Sequence, residues 1–391
     1  MIPAGFRRRW PPLLLGLLCF ALVLFGASIL AAFFVIPAWL GPDASLRTGA
    51  MAVGALLALP PLLAYFWVPR LVGSLDPQPF RQLALAFVFG AFAASGFSTL
   101  FNTWFERALV ALGRGLGRND AADIAAFLGA TFGAPLIEEL WKGLAVVFAF
   151  RLCRRGPDVL QDGVVLATFS GIGFATVENV VYYARAALDE VVNAREGAIA
   201  AVVVVRGVVS PWGHPLYAAL TGFGLGLGRE HHPRRARFAA PLLGYAAAAV
   251  LHALWNGTAL LSDGVVDSLL PLAAVFVVLF ALLFGVVITR QSHIVRHELR
   301  PEVQAGILTP EEVALVASPL SRLHAVRSHG GFAGRRFVAT AARLAFARRQ
   351  AGKAAPGSEE QRAWEASCDA LRRELGRLRS VLAGSARSPV F

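Results

Sequence analysis

Residues 123–150 read DIAAFLGATFGAPLIEELWKGLAVVFAF, and this stretch decides the fold. Nearly all of it is apolar, and as a helix it is long enough to cross the ~30 Å hydrocarbon core of a bilayer. Its middle nevertheless carries Glu138, Glu139 and Lys142. An ionised side chain at the bilayer centre costs roughly 2.5–3.5 kcal/mol on insertion scales. Three together predict mutual pairing, access to water and a function inside the membrane.

The composition is that of a membrane protein. Of the 391 residues, 56% are hydrophobic and only 16% are charged, and the mean hydropathy is +0.59. Soluble domains carry about 25% charged residues. We predict an all-α fold, a polytopic membrane helical bundle of about eight transmembrane helices with a cytoplasmic helical tail. The apolar windows of spanning length lie near residues 11–37, 48–68, 82–101, 123–150, 163–185, 197–228, 238–261 and 265–289.

The loop charges predict one orientation. Arginines concentrate on the side of the N-terminus and acids on the opposite side, as expected when the arginine side is cytoplasmic. We therefore expect a multi-pass protein of the bacterial cytoplasmic (inner) membrane with both termini cytoplasmic. The first span is too long and too uniformly apolar for a cleaved signal peptide, so we interpret it as an anchor. The arginines on this side are Arg7, Arg8, Arg9, Arg70, Arg81, Arg151, Arg154, Arg155, Arg229, Arg234, Arg235 and Arg237.

The net charge of +12 does not indicate a nucleic-acid partner. Most of it lies in the cytoplasmic loops and in the tail after residue 290, where anionic membrane lipids are the expected partners. The three cysteines, Cys19, Cys153 and Cys368, are far apart in the sequence. They predict neither a disulfide framework nor a zinc site.

The chain divides into four predicted parts. We expect an N-terminal transmembrane scaffold of three spans at 1–115, a catalytic transmembrane core at 120–262, a final span at 263–290 and a cytoplasmic basic helical tail at 291–391. Spans four to seven hold nearly all the intramembrane polar residues, which is why they are assigned to the core.

Three helices are predicted in the tail. Thr309-Pro310-Glu311-Glu312 provides an N-cap, a proline at the first helical position and first-turn acids. A basic helix is expected near 333–351 and a mixed-charge helix near 358–383. We interpret the tail as a small helical appendage, with docking to a membrane surface or to a partner as the alternative.

The charged residues of the fourth span are spaced to meet one another. Glu138 and Lys142 are four residues apart, and Glu139 is three residues from the same lysine, so all three share one helix face. An ammonium can neutralise one carboxylate and leave the other free. Pro135, close to Gly133, removes a backbone hydrogen bond one turn upstream and can open the helix locally. The alternative is a purely structural ion pair that locks helix packing.

The next three spans also carry polar groups in apolar surroundings. A single buried histidine is more often a hydrogen-bonded core residue than a catalyst, but four consecutive spans with such groups are a stronger signal because each group carries an insertion cost. The residues are Phe174, Glu178 and Asn179 in the fifth span, Arg206 and His214 in the sixth, and His252 and Asn256 in the seventh.

The depths of these residues predict a common cavity. At ~1.5 Å per residue from the extracytoplasmic ends of their spans, Glu138 lies about 22 Å deep, Glu178 about 12 Å, His214 about 25 Å and His252 about 14 Å. All four fall between the membrane centre and its outer third. We expect them to line one water-filled cavity that opens outward.

Peptide hydrolysis fits glutamates, histidines and a carboxamide around water. A glutamate can take a proton from water as it attacks a carbonyl, histidine can position that water, and an amide can stabilise the oxyanion. The chain shows no H-E-x-x-H motif. Three alternatives stay open: two histidines and three glutamates around a divalent metal, a proton- or ion-coupled transporter, and a non-catalytic scaffold that binds helices through its glycine faces.

These motifs resemble those of the PrsW family of intramembrane proteases, which is related to the CAAX prenyl endopeptidases. The sequence E-E-L-W-K at 138–142 matches E-E-x-x-K, and F-A-T-V-E-N at 174–179 matches F-x-x-x-E-N. His214 corresponds to the single motif histidine, and H-A-L-W-N at 252–256 matches H-x-x-x-N. The resemblance covers about residues 123–260, so we expect the first three spans and the tail to lie outside the family core.

The resemblance implies a membrane-embedded glutamic-type peptidase that needs neither a metal nor another cofactor. Its substrate would be a single-span membrane protein cut near the extracytoplasmic face, and the best-known members cleave anti-sigma factors. Glu138 would be the base, with Glu139 and Lys142 organising it. Glu178 would take the place that histidine holds in the CAAX-type relatives. The remaining motif residues, His214, His252 and Asn256, would position water or the oxyanion.

Overall fold

The structure is a computed structural model that describes residues 12–69, 78–152, 158–230, 234–262, 265–318 and 332–385. Most of these residues are helical. Eight of its helices are long and apolar enough to cross a membrane. The predicted polytopic bundle is therefore confirmed. These helices are α1 (Leu13–Leu40), α2 (Ala44–Tyr65), α3 (Phe80–Gly115), α4 (Ala121–Leu152), α5 (Val159–Val192), α6 (Ala198–Glu230), α7 (Arg235–Leu261) and α8 (Asp267–Gln304).

Several expected features fall outside these ranges or differ in extent. The third span was expected near 82–101, whereas α3 continues to Gly115. Polar residues from Asn102 onward lower the hydropathy of this segment, yet they do not interrupt its helix. Some of the arginines that predict the orientation, and one of the three cysteines, lie outside the described residues. They are Arg7, Arg8, Arg9, Arg70, Cys153, Arg154 and Arg155.

Helices α5, α6 and α7 pack side by side because glycines let their backbones meet. A Cβ atom on Gly222 of α6 would lie 2.2 Å from the carbonyl oxygen of Gly163 on α5. On the opposite side, a Cβ on Gly224 would lie 2.4 Å from the carbonyl oxygen of Ala240 on α7. Small residues allow such close approach in membranes, where helices gain from van der Waals contact. The glycine run of α6 is thus a packing surface.

Irregular turns interrupt the spanning helices close to the polar residues. In α4 a π-helical turn, Gly129–Gly133, directly precedes Pro135. In α6 a π-helical turn, Val204–Val209, contains Arg206 and is followed by a break before Gly213. Single π-helical turns are frequent at functional sites. Here they leave backbone carbonyls available for side chains of neighbouring helices.

The tail forms a second hydrophobic core below the bundle. Beyond α8 it contains α9 (Pro310–Ala317), α10 (Phe332–Lys353) and α11 (Glu359–Ser385), close to the expected positions. The helix start at Thr309 is present as a capping box with Glu312. We call the end of the bundle next to the tail the lower end. The upper end carries the connections at 41–43, 116–120 and 193–197.

Candidate active site

Lys142 lies at the centre of the polar cluster and is fully buried. Its Nζ atom is 2.8 Å from Glu139 Oε1 and 3.4 Å from Glu138 Oε2. It also lies 2.9 Å from His214 Nδ1 on α6 and 3.9 Å above the ring centroid of Phe174 on α5. An ammonium donates hydrogen bonds and accepts none, so His214 must accept through Nδ1. Lys142 therefore ties α4 to α5 and α6.

Glu139 is the carboxylate that holds Lys142 and His252 in place. It has no exposed surface, and its Oε1 atom is 3.0 Å from His252 Nδ1. Because an ionised carboxylate only accepts hydrogen bonds, Nδ1 of His252 carries the proton and Nε2 keeps its lone pair. That Nε2 atom lies 3.8 Å from Glu138 Oε2. Tyr217 stacks on the imidazole at 4.8 Å and fixes its plane.

Glu178 forms a second ionic group with residues of α6. Its Oε2 atom accepts from Arg206 at 2.5 Å and lies 2.6 Å from His214 Nε2. Arg206 also donates through Nε to Asn179 Oδ1 at 2.8 Å. Since His214 accepts from Lys142 through Nδ1, its Nε2 is the nitrogen that donates to Glu178. His214 thereby links the two ionic groups.

Asn256 of α7 hydrogen-bonds to the main chain of α4. Its Nδ2 atom donates to the carbonyl oxygen of Ala130 at 2.8 Å, within the π-helical turn of α4. The sequence predicts a role for this carboxamide in positioning water or the oxyanion. In the structure one of its two N–H groups stabilises the irregular turn that leads into the Glu138 helix.

An open cavity of about 980 Å³ reaches the cluster from the upper end. Glu106 and Asp123 line its upper part, and the motif residues lie at its base. Of the predicted catalytic residues, Glu139 and Lys142 do not line it and lie behind its wall. Those that line it are Glu138, Glu178, His214, His252 and Asn256, and the predicted supporting residues Phe174, Asn179 and Arg206 line it too.

Three residues of this site were not predicted. Asn102 of α3 lies just past the expected end of the third span, and its Nδ2 atom donates to Glu138 Oε1 at 3.4 Å. Ser98 lines the cavity one turn earlier. Tyr217, three residues after His214, received no role from the sequence. The polar face of α3 could have indicated Asn102 and Ser98. The sequence analysis gave these residues no role because the third span was assigned to the scaffold.

The donor atoms of Glu138, His214 and His252 lie within 4.8 Å of one another, which would suit a divalent metal by residue type. The surroundings do not fit one. The Lys142 ammonium is in contact with both Glu138 and His214. Both ring nitrogens of His214 are engaged, one with Lys142 and one with Glu178. A dication would have to displace or adjoin a buried ammonium, at a large electrostatic cost.

Comparison with known protein families finds a match over residues 78–286 to the family described as PrsW family intramembrane metalloprotease. The chain belongs to this family. The match covers more than half of the chain and includes α3, so the expectation that the first three spans lie outside the family core is wrong for the third. No curated protein and no solved structure matches the chain. As a PrsW-family protein whose described part has eight helices long and apolar enough to cross a membrane, it is a multi-pass membrane protease.

Proposed function

We propose that this protein is an intramembrane endopeptidase in which Glu138 activates the attacking water. One observation carries the proposal: Glu138 lines the base of the cavity, and its Oε2 atom lies 3.8 Å from Nε2 of His252. A water molecule between them can donate one hydrogen to each. Its lone pair then points into the cavity, where a substrate carbonyl would lie.

The reaction proceeds in two proton transfers. Glu138 takes a proton from water while the water oxygen bonds to the carbonyl carbon, which gives a tetrahedral intermediate. Glu138 then returns that proton to the amide nitrogen as the C–N bond breaks. His252 keeps the water in position throughout because its Nδ1–H remains bonded to Glu139.

The pairing of charges supports Glu138 as the base. Lys142 is closest to Glu139, and Arg206 is in direct contact with Glu178, so each of these carboxylates has its own cation. The contacts of Glu138 with Lys142 and Asn102 are longer, both 3.4 Å. It is therefore the carboxylate with the most freedom to accept a proton.

Two groups are available to stabilise the oxyanion. Asn256 lines the cavity with a second N–H beyond the one given to Ala130. Tyr217 also lines the cavity, and its buried hydroxyl has no hydrogen-bond partner among the described residues. Donors placed where negative charge develops contribute strongly to acyl-transfer reactions.

The substrate that suits this cavity is a single-span membrane protein. The cavity runs from the upper end down to Glu138, so a peptide bond close to that membrane face can reach this residue. The arginine distribution supports an extracytoplasmic upper end and cytoplasmic termini, and we propose that the membrane is the inner membrane of a bacterium. An anti-sigma factor is one candidate substrate of this type.

A metal-dependent reaction is the second candidate. Two observations favour it: Glu138, His214 and His252 lie close together, and the matching family is described as one of metalloproteases. The ammonium of Lys142 argues against a bound metal ion, because it contacts both Glu138 and His214. We expect cleavage to continue undiminished after treatment with 1,10-phenanthroline or EDTA. Inhibition that added zinc reverses would replace the glutamate mechanism by a metal-dependent one.

The decisive test compares membrane-protein fragments from cells with the wild-type protein and with Glu138→Gln. The amide cannot take a proton from water, so we expect cleavage to fall by roughly 10²–10⁴-fold, the usual contribution of a general base. The variant protein should accumulate normally. Glu106→Gln, at an exposed carboxylate of the same cavity, is the matched control and should cleave like the wild type.

Two outcomes would reject the proposal. Fragments that persist in Glu138→Gln cells at the wild-type level would exclude Glu138 as the base. Ion flux into proteoliposomes that depends on Glu138, without any peptide cleavage, would favour a coupled transporter instead.

A further inference from the structure

One face of α3 is polar where it borders the cavity. Its side chains are hydroxyls and one carboxamide, in a segment that is otherwise apolar. The residues of this face are Ser95, Ser98, Thr99, Asn102 and Thr103. None of them belongs to the motifs that carry the proposed chemistry.

Three of the five hydroxyl and amide groups are satisfied within α3. Thr99 donates to the carbonyl oxygen of Ser95 at 2.9 Å, Thr103 to that of Thr99 at 2.7 Å, and Ser95 to that of Gly90 at 3.2 Å. The other two differ. Ser98 Oγ and Asn102 Oδ1 are both buried and lack a hydrogen-bond partner among the residues that the structure describes.

The two unsatisfied groups lie on the helix face through which α3 contacts the proposed base. Ser98 is only 2% exposed, and Asn102 lies one turn further along the same helix face. Asn102 uses its Nδ2 atom to contact Glu138 Oε1. Its oxygen is therefore held beside Glu138 and remains available. Buried polar atoms are almost always paired, so an unpaired couple at a cavity wall indicates a partner that binds there.

The backbone of a substrate would supply that partner. A peptide bond within a helix has its N–H and C=O engaged along the helix, and attack on the carbonyl requires that this stretch be unwound. Unwinding inside a membrane exposes backbone groups that water does not reach. Acceptors and donors on the protein must then replace the lost helical bonds.

We propose that Ser98 and Asn102 form a backbone-binding subsite that hydrogen-bonds an unwound substrate segment beside Glu138. This rests on the proposed function. Asn102 Oδ1 accepts from a substrate N–H, and the Ser98 hydroxyl donates to a substrate carbonyl. The subsite selects a spanning segment that unwinds easily rather than a particular side chain.

Binding of two synthetic peptides tests the subsite. Both are Leu/Ala transmembrane peptides of about 22 residues, and one carries Gly-Gly in its outer third to ease unwinding. Binding is measured by fluorescence in proteoliposomes with full-length Glu138→Gln protein, so that no turnover occurs. We expect this protein to prefer the Gly-Gly peptide.

Variants of α3 then test whether the preference depends on Ser98 and Asn102 or on the polar face of α3 in general. Ser98→Ala and Asn102→Leu, singly and together, should reduce the preference by about three- to tenfold, as expected for lost hydrogen bonds. Thr99→Val and Thr103→Val remove neighbouring hydroxyls of the same face and should leave it unchanged. Ser98→Ala creates little space, so it remains informative if Asn102→Leu fails to fold.

The proposal is overturned if the protein shows no preference, if the preference survives the double substitution, or if the two threonine variants lose it equally. An ordered water as the sole partner of Ser98 and Asn102 would give the second of these results. Cleavage by the wild-type protein is measured separately with the Gly-Gly peptide. Preserved preference without cleavage would reject the peptidase and leave the subsite standing.

Discussion

At the scale of single residues, the two adjacent glutamates of α4 have different surroundings. Glu139 is enclosed, with Lys142 at 2.8 Å and His252 at 3.0 Å from one oxygen. Glu138 borders the cavity and lies farther from the same lysine, at 3.4 Å. These surroundings support the proposal that Glu138 transfers the proton and that Glu139 positions the lysine and the histidine. The assignment rests on which carboxylate reaches the cavity rather than on the spacing to Lys142.

Glu139→Gln should reduce both stability and activity. It leaves the buried ammonium of Lys142 without its nearest negative charge, and loss of one partner of a buried ion pair costs about 3–5 kcal/mol. Lys142 would also turn to Glu138, which would weaken that carboxylate as a base. The measurements are the unfolding free energy in mixed detergent micelles and the cleavage rate.

Glu138→Gln is the comparison for that experiment. It should lose cleavage and keep nearly all of its stability, since Glu139 still pairs with Lys142. Equal losses of stability in the two variants would contradict the division of roles between the glutamates.

At the scale of helices, the site depends on how closely α5 and α6 pack. Glu178 on α5 and His214 on α6 make contact at 2.6 Å. The same two helices touch through Gly163 and Gly222 nearer the lower end, where a Cβ on Gly222 would also lie 2.5 Å from the Ala167 Cβ. The close approach of the two backbones at Gly163 and Gly222 therefore sets how far apart the ionic groups of α5 and α6 lie.

Gly222→Ala should separate α5 from α6 and destabilise the protein by about 1–3 kcal/mol, the usual cost of overpacking. Cleavage should fall with it, because the contact between Glu178 and His214 depends on the same spacing. Detergent unfolding and cleavage assays measure the two effects. Gly285→Ala on α8 is the matched control, since a Cβ there meets no atom within 4 Å, and it should behave like the wild type.

At the scale of the whole molecule, a polar cluster joins the lower end of the bundle to the tail. Arg290 on α8 pairs with Asp158 before α5 and with Glu230 at the end of α6. Lys353 of the tail helix α10 lies 3.9 Å from the same Glu230. The following residue of α8, Gln291, donates to Asp158 at 3.3 Å. Three spanning helices and the tail therefore share one set of buried charges.

Arg290→Gln should destabilise the protein by about 3–5 kcal/mol, because it leaves the buried carboxylates of Asp158 and Glu230 without their main cation. It should also make the tail more accessible to proteases, which limited proteolysis would detect. Arg118→Gln removes the partner of Asp120 in an ion pair that is about half exposed. This control should have no measurable effect. A similar result for both variants would contradict a structural role for the cluster.

The local features of this protein could be predicted from its sequence. Hydropathy identifies eight spans because each span must satisfy its own backbone in lipid. The spacing of Glu138, Glu139 and Lys142 places them on one helix face, and Thr309 with Glu312 marks a helix start, because both patterns act within one or two turns. These inferences need no knowledge of neighbouring helices.

Only the tertiary structure decided which groups meet across helices. The sequence by itself could not say that Glu138 borders the cavity while Glu139 lies behind its wall, that Asn256 binds the carbonyl of Ala130, or that Asn102 reaches Glu138. Each of these contacts depends on the rotation of a helix about its axis and on partners that lie 36 to 126 positions away in the chain. Packing sets that rotation, so the motif residues could be named from the sequence, whereas which of them border the cavity and which contact one another across helices could not.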